Sequence, residues 1–351
     1  MPSTCTSVAG GCPGARARRD TALTGAADSG AISAGRITTD HRADSGAWLI
    51  SPTSDFWLAS AGGGVLLLAI ALVLQWRGDR ELCTADLLLA ELHLGATYDA
   101  VFRRRLWQRM PLEIIAAPIA ITAATYYLML TDRAALVTTV VLYLAAWHRG
   151  RQNFGIARWY QVHMGGPVSA SHRRLFRAAI YLPMLTGAAY FASTAPLYEG
   201  DEFLALALDP AIVQALAVVA VVGVGAYLVF AARHRARIHP GEWWLVVANA
   251  LAFGSGYVLG AWTMSFMLVL ALHHEVQYLW FTYAMARRSS SAGELRLLAS
   301  FALWPALGLS SWALCRLSDS DWVPPFLVGG LLCHYWLDGR IWTARARRLA
   351  I

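Results

Sequence analysis

Five histidines stand inside apolar stretches of this 351-residue chain, where an imidazole has little water around it. His93 lies in Glu-Leu-His-Leu-Gly-Ala-Thr97, His148 in Trp-His-Arg-Gly-Arg-Gln152, His273 and His274 in His-His-Glu-Val-Gln277-Tyr278, and His334 in Cys-His-Tyr-Trp-Leu-Asp338. Four residues after His93, His148, His273 and His334 come Thr97, Gln152, Gln277 and Asp338, all able to hydrogen bond. On a helix this spacing puts both side chains on one face, a turn apart. A histidine that ligates a metal through one ring nitrogen needs the other held by a partner, and groups at this spacing, on the same or a neighbouring helix, supply one.

The pattern reads as a buried imidazole metal site. His93, His148, His273, His274 and His334 are the candidate ligands, and Thr97, Gln152, Gln277, Tyr278 and Asp338 are the groups expected to orient them beside the reacting centre. Imidazole favours Fe, Cu, Zn or Ni over Mg or Ca; in a water-poor setting iron is the leading expectation, with haem as the alternative. Adjacent His273 and His274 project about 100° apart on a helix, so both reach one ion only through backbone distortion, unless a second ion is present. One site further requires that the imidazoles of His93, His148, His334 and at least one of the doublet gather within about 8 Å.

Two other readings use the same residues. Imidazoles hydrogen-bond between helices in membrane bundles without binding metal. Histidines combined with carboxylates such as Asp86, Glu91, Asp99, Glu275 and Asp338 also form the proton or ion paths of carriers. Other chemistry finds no support. His274-Glu275 begins like the zinc metalloprotease motif, but Tyr278 occupies the place of its second histidine. The chain has no GxxxxGK[ST] phosphate loop, no GxGxxG turn and no GxSxG nucleophile elbow.

The elements that position these groups are transmembrane helices. The chain is 57% apolar and 15% charged, which suits a bilayer better than water. A hydrocarbon core takes about 20 residues of helix. Ten segments meet that length, at 56–76, 83–102, 111–131, 134–158, 176–194, 211–232, 243–261, 264–286, 295–314 and 325–342. The second, fourth, eighth and tenth carry the histidines. Arginine clusters follow the even-numbered segments, including Arg103–Arg105, Arg173-Arg174, Arg233, Arg287-Arg288 and Arg345 to Arg348, whereas Glu199 to Glu202 and Asp319 to Asp321 follow odd ones. By the positive-inside rule both termini then lie in the cytoplasm, and the four histidine-bearing helices run parallel. Each histidine precedes its arginines by roughly ten residues, or about 15 Å, so the imidazoles share a depth.

The expected class is therefore an all-α, polytopic integral membrane bundle of about ten transmembrane helices, multi-pass in a bacterial inner (cytoplasmic) membrane. Residues 1–54 read as a disordered polar tail, 55–344 as the transmembrane domain and 345–351 as a short basic cytoplasmic tail. Segments seven and eight, joined around Trp262-Thr263 with hardly a polar residue, are the least certain pair to separate. The net charge of +7 is scattered in short clusters, which excludes a continuous nucleic-acid surface. No cysteine spacing suggests a disulfide framework or a zinc finger. His41, His163, His172, His234 and His239 fall in polar or basic connections and are read as solvated or interfacial.

The His273-His274 doublet resembles part of the histidine boxes of membrane fatty-acid desaturases and hydroxylases, although their HxxxH and HxxHH spacings are absent. Single histidines spread over many helices are similar to the arrangement in bacterial β-carotene dioxygenases of the bacteriorhodopsin-related type. Both resemblances imply non-haem iron and a lipid-soluble substrate. The expected function is thus a metal-dependent oxidoreductase, an oxygenase, hydroxylase or desaturase in lipid metabolism, supplied with electrons by a partner protein. The alternatives are a transporter or proton-coupled carrier, or a haem-binding membrane protein.

Overall fold

The computed structural model describes residues 48–74, 80–103, 105–164, 166–195, 202–261, 264–289 and 323–341, with the single positions Trp304, Ala306, Ser310 and Ala313. Every regular element among them is helical. The helices are α1 (Ala61–Leu74), α2 (Arg80–Arg103), α3 (Ala117–Leu130), α4 (Ala134–His163), α5 (Ala170–Thr194), α6 (Pro210–Arg233), α7 (Pro240–Phe253), α8 (Met264–Ser289) and α9 (Val323–Ile341). π-helical turns at Asp55–Ala59 and Leu112–Ala116 lead into α1 and α3, and another at Gly254–Leu259 extends α7.

Local chemistry accounts for several of these boundaries. Ser169 caps α5 by accepting from the His172 amide. Asp209 and His239 do the same for α6 and α7, each followed by a proline at the first helical position, where no amide proton is required. Helices occupy the positions of nine of the ten expected segments, and the ninth, 295–314, lies almost wholly outside the described residues. Segments seven and eight are separate helices, broken after Leu259 and resumed at Met264.

Three helical stretches, Leu112–Leu130, Ala170–Thr194 and Pro210–Arg233, are long and apolar enough to cross a membrane. The pair Pro52–Ala59 and Ala61–Ile70, bent by 46°, makes a fourth if it is one span. α2, α4, α8 and α9 are also 24, 30, 26 and 19 residues long, but they carry the polar groups that lower their hydropathy. Large apolar side chains cover much of the exterior of two helical stretches, while a set of ionisable groups is buried. Val218, Val221, Val222 and Val229 on α6 and Leu112, Ile119 and Tyr127 along the α3 stretch are exposed, while His93, Asp99, His148, Arg149, Glu275 and Asp338 are buried. A continuous apolar exterior of this kind suits lipid.

The packing that matters for the site is a ring. α2 packs against α8, α8 against α4, α4 against α9, and α9 back against α2. α1 and α7 lie against α8, α3 against α9, and α5 and α6 pack together outside α4 and α7. The bend before α1 is part of this support. The carbonyl of Ala59 accepts from Gln277 Nε2 at 2.8 Å and that of Ser60 from His273 Nε2 at 3.2 Å. Gly63 belongs to the same bend, since a Cβ there would lie 2.3 Å from the Trp57 carbonyl oxygen.

Packed structure begins earlier than the expected boundary at residue 54. Leu49 is buried, and the buried carboxylate of Asp55 accepts from the amides of Leu49 (2.6 Å) and Ile50 (3.2 Å), from Tyr160 Oη (2.7 Å) and from Trp280 Nε1 (3.2 Å). Residues 1–47 and the basic tail 345–351 lie outside the described residues.

Candidate metal centre

His93 comes from α2, His148 from α4, His274 from α8, and His334 with Asp338 from α9, so each wall of the helix ring contributes. All five side chains are buried. Imidazole centroids are 4.4 Å apart for His93 and His334, 4.8 Å for His148 and His334, 4.9 Å for His274 with either His93 or His148, and 5.9 Å for His93 and His148. The convergence required of one site is met. α4 runs unbroken to His163, so His148 sits inside a helix rather than at its end.

One ligand atom from each of His93, His148, His334 and Asp338 lies within 4.8 Å of the others, and this buried group could hold a metal ion. Asp338 Oδ2 is 3.9 Å from His93 Nε2, 3.8 Å from His148 Nε2 and 3.9 Å from His334 Nε2. These separations are too long for hydrogen bonds. They are slightly wider than the roughly 3.4 Å between ligand atoms held tetrahedrally at about 2.1 Å from one ion. His93 Nε2 and His148 Nε2 have no hydrogen-bond partner, and neither does His274 Nδ1. A buried nitrogen left this way costs about 1–3 kcal/mol, and a cation shared by His93 and His148 removes that cost at those two.

The outer hydrogen bonds fix which atoms face the centre. Asp338 Oδ1 accepts from Thr97 Oγ1 at 2.9 Å and from Tyr278 Oη at 2.8 Å. With its one proton given to Asp338, Thr97 Oγ1 must accept from His334 Nδ1, 2.9 Å away. His334 therefore carries its proton on Nδ1, leaving the Nε2 lone pair for the centre. The Tyr278 ring stacks on His93, with centroids 3.8 Å apart and planes at 15°, and so holds the orientation of that imidazole.

The doublet separates as helical geometry requires. His274 faces the cluster, although its nitrogens fall outside the tight group of four. His273, expected as a ligand, points to α1 and donates to the Ser60 carbonyl. Gln152 and Gln277, expected beside the imidazoles, brace backbone instead. Gln152 Nε2 donates to the His274 carbonyl at 3.0 Å and to Gln277 Oε1 at 3.1 Å. Asp338, expected as an orienting group, stands among the candidate ligands. The four-residue spacing from His334 serves either role, because it puts both side chains on one face.

Two histidines read as solvated are buried. His172 Nδ1 accepts from the Val168 amide at 3.1 Å, and its Nε2 donates to Glu242 Oε1 at 2.7 Å. That oxygen also accepts from Gln161 Nε2 (3.2 Å) and Tyr227 Oη (3.0 Å). His239 caps α7 and stacks on Tyr160 with ring centroids 4.8 Å apart. His163 is exposed and His234 half-buried, while His41 lies outside the described residues. The Glu242 cluster ties α4, α5, α6 and α7 together through three donors on one carboxylate oxygen, the arrangement of a structural anchor.

In comparisons with known proteins the chain matches no protein family, no curated protein and no solved structure.

Proposed function

We propose that this protein is a multi-pass membrane oxidoreductase with one non-haem metal ion, iron first among the candidates, held by His93, His148, His334 and Asp338. The observation that carries the reading is the convergence of three imidazole Nε2 atoms on one carboxylate oxygen, with the far side of Asp338 and of His334 already hydrogen-bonded. Neutral imidazoles with a single carboxylate match the ligand preferences of a divalent transition metal. Four ligand atoms gathered about one point leave no plane for a porphyrin, which favours a bare ion over haem. When bound, such an ion activates dioxygen toward a lipid-soluble substrate; the protein's own groups hold its ligands and keep water away.

On this reading the ten segments cross a bacterial cytoplasmic membrane with both termini inside, as the arginine distribution orders them. On the same reading electrons are supplied by a partner protein. Metal analysis and optical spectra of detergent-purified full-length protein test the proposal. About one iron per chain, lost in D338N and H148A, is the expected result. A metal-free, colourless preparation that takes up no Fe(II) sinks it, and a Soret band replaces it with haem.

A further inference from the structure

Beside the centre, α8 turns a second face to an apolar groove. Val276, Leu279, Trp280 and Tyr283 follow one another at helical spacing, and Leu58, Leu92 and Trp304 line the other side of a largely open groove with a volume of about 440 Å³. From Val276 to Tyr283 the helix rises about 10 Å, so the groove runs along the helix axes. The indole nitrogen of Trp280 is already bonded to Asp55, which leaves the groove its apolar ring face. No lining residue offers a charge.

The groove shares a wall with the metal centre. Tyr278 packs with Ala96, Trp304, Leu92 and Leu279, and its ring also stacks on His93. Three of the lining residues, Leu92, Leu279 and Trp304, therefore stand against the aromatic ring that stacks on a candidate ligand. We infer that this groove binds the unsubstituted hydrocarbon chain of the substrate, extended parallel to the helices, with Leu92, Leu279 and Trp304 backed by Tyr278 between chain and metal. An uncharged lining beside a buried redox centre suits a chain that carries its own polar group, if any, outside the groove. A channel running with the helices receives a chain in the orientation it already has in a bilayer. The inference rests on the oxidoreductase reading for its purpose, but the binding site stands or falls by itself.

Full-length protein in bilayer nanodiscs is labelled with a hexadecanol bearing a mid-chain diazirine, and adducts are mapped by peptide mass spectrometry. Adducts on Leu92, Val276, Leu279 and Trp280 that excess unlabelled hexadecanol suppresses at least about tenfold are the expected result, as competition for one saturable site requires. L279W fills the groove and removes them while retaining metal; L92W, which closes it from α2, serves if L279W fails to fold. Labelling that the competitor leaves unchanged, and that matches labelling on the exposed faces of α3 and α6, means bulk lipid contact and overturns the inference. Saturable groove labelling of a protein that binds no metal supports the groove and removes the oxidoreductase reading.

Discussion

The phenol of Tyr278 lies flat against the imidazole of His93, 3.8 Å between centroids, while its hydroxyl donates to Asp338 Oδ1 at 2.8 Å. One side chain thereby touches two candidate ligands that come from different helices. Its ring sets the plane of one ligand, and its proton turns the carboxylate so that the other oxygen meets the three Nε2 atoms.

Replacing Tyr278 by Phe separates those two effects. The ring and its stacking remain, but Asp338 Oδ1 loses the Tyr278 donor and keeps that of Thr97. Losing an outer partner of this kind weakens metal affinity by about 10–100-fold. Chelator competition on purified Y278F protein measures it, and affinity equal to wild type refutes the assigned role.

Thr97 passes a proton relation from His334 to Asp338, so Thr97→Val, nearly equal in shape, frees the tautomer of one ligand and the orientation of another. Metal affinity is expected to drop by about 10–100-fold and to recover in Thr97→Ser. Because Thr97 and Tyr278 share one acceptor oxygen, the double variant T97V/Y278F should show a loss that differs from the sum of the single losses by about 0.5 kcal/mol or more. Additive losses mean that the two groups act separately.

That the histidines converge was legible in the sequence, and their compass direction was not. Polar groups repeated four residues after histidines on separate apolar segments point to one centre, and the structure brings His93, His148 and His334 together. Periodicity reveals which face of a helix turns inward only when the helix is apolar on one side, and α2, α4, α8 and α9 carry apolar residues around most of their circumference. Hence His273 and His274 were indistinguishable, and Gln152 and Gln277 were placed beside imidazoles although they hold backbone carbonyls. His172 and His239 misled for another reason. A polar connection looks solvated in one dimension, but Glu242 and Tyr160, which bury these two rings, come from other parts of the chain.

Single replacements of the doublet and of His148 test that direction. His148→Ala removes a ligand atom and is expected to abolish stoichiometric metal binding. His273→Ala removes one hydrogen bond to the Ser60 carbonyl, costs about 0.5–1.5 kcal/mol of stability before packing losses, and leaves the metal in place. His274→Ala, whose nitrogens stand outside the group of four, retains the metal as well. Metal content and melting temperature of the three purified variants decide it. Loss of metal in H273A with an unchanged melting temperature contradicts the geometry.

Glu242 provides the converse, a buried carboxylate whose work is structural. Its Oε1 receives protons from His172, Gln161 and Tyr227, so Glu242→Leu strands three buried donors contributed by α5, α4 and α6. Breaking a buried polar cluster by removing one partner costs about 3–5 kcal/mol. Gln161 stands thirteen residues beyond His148 on α4, roughly 20 Å along the helix, so the damage is remote from the candidate ligands. Thermal unfolding in detergent should show the melting temperature of E242L falling by several degrees, both with and without metal, while the folded fraction binds metal with unchanged affinity. A selective loss of metal affinity at unchanged melting temperature would instead join this cluster to the centre.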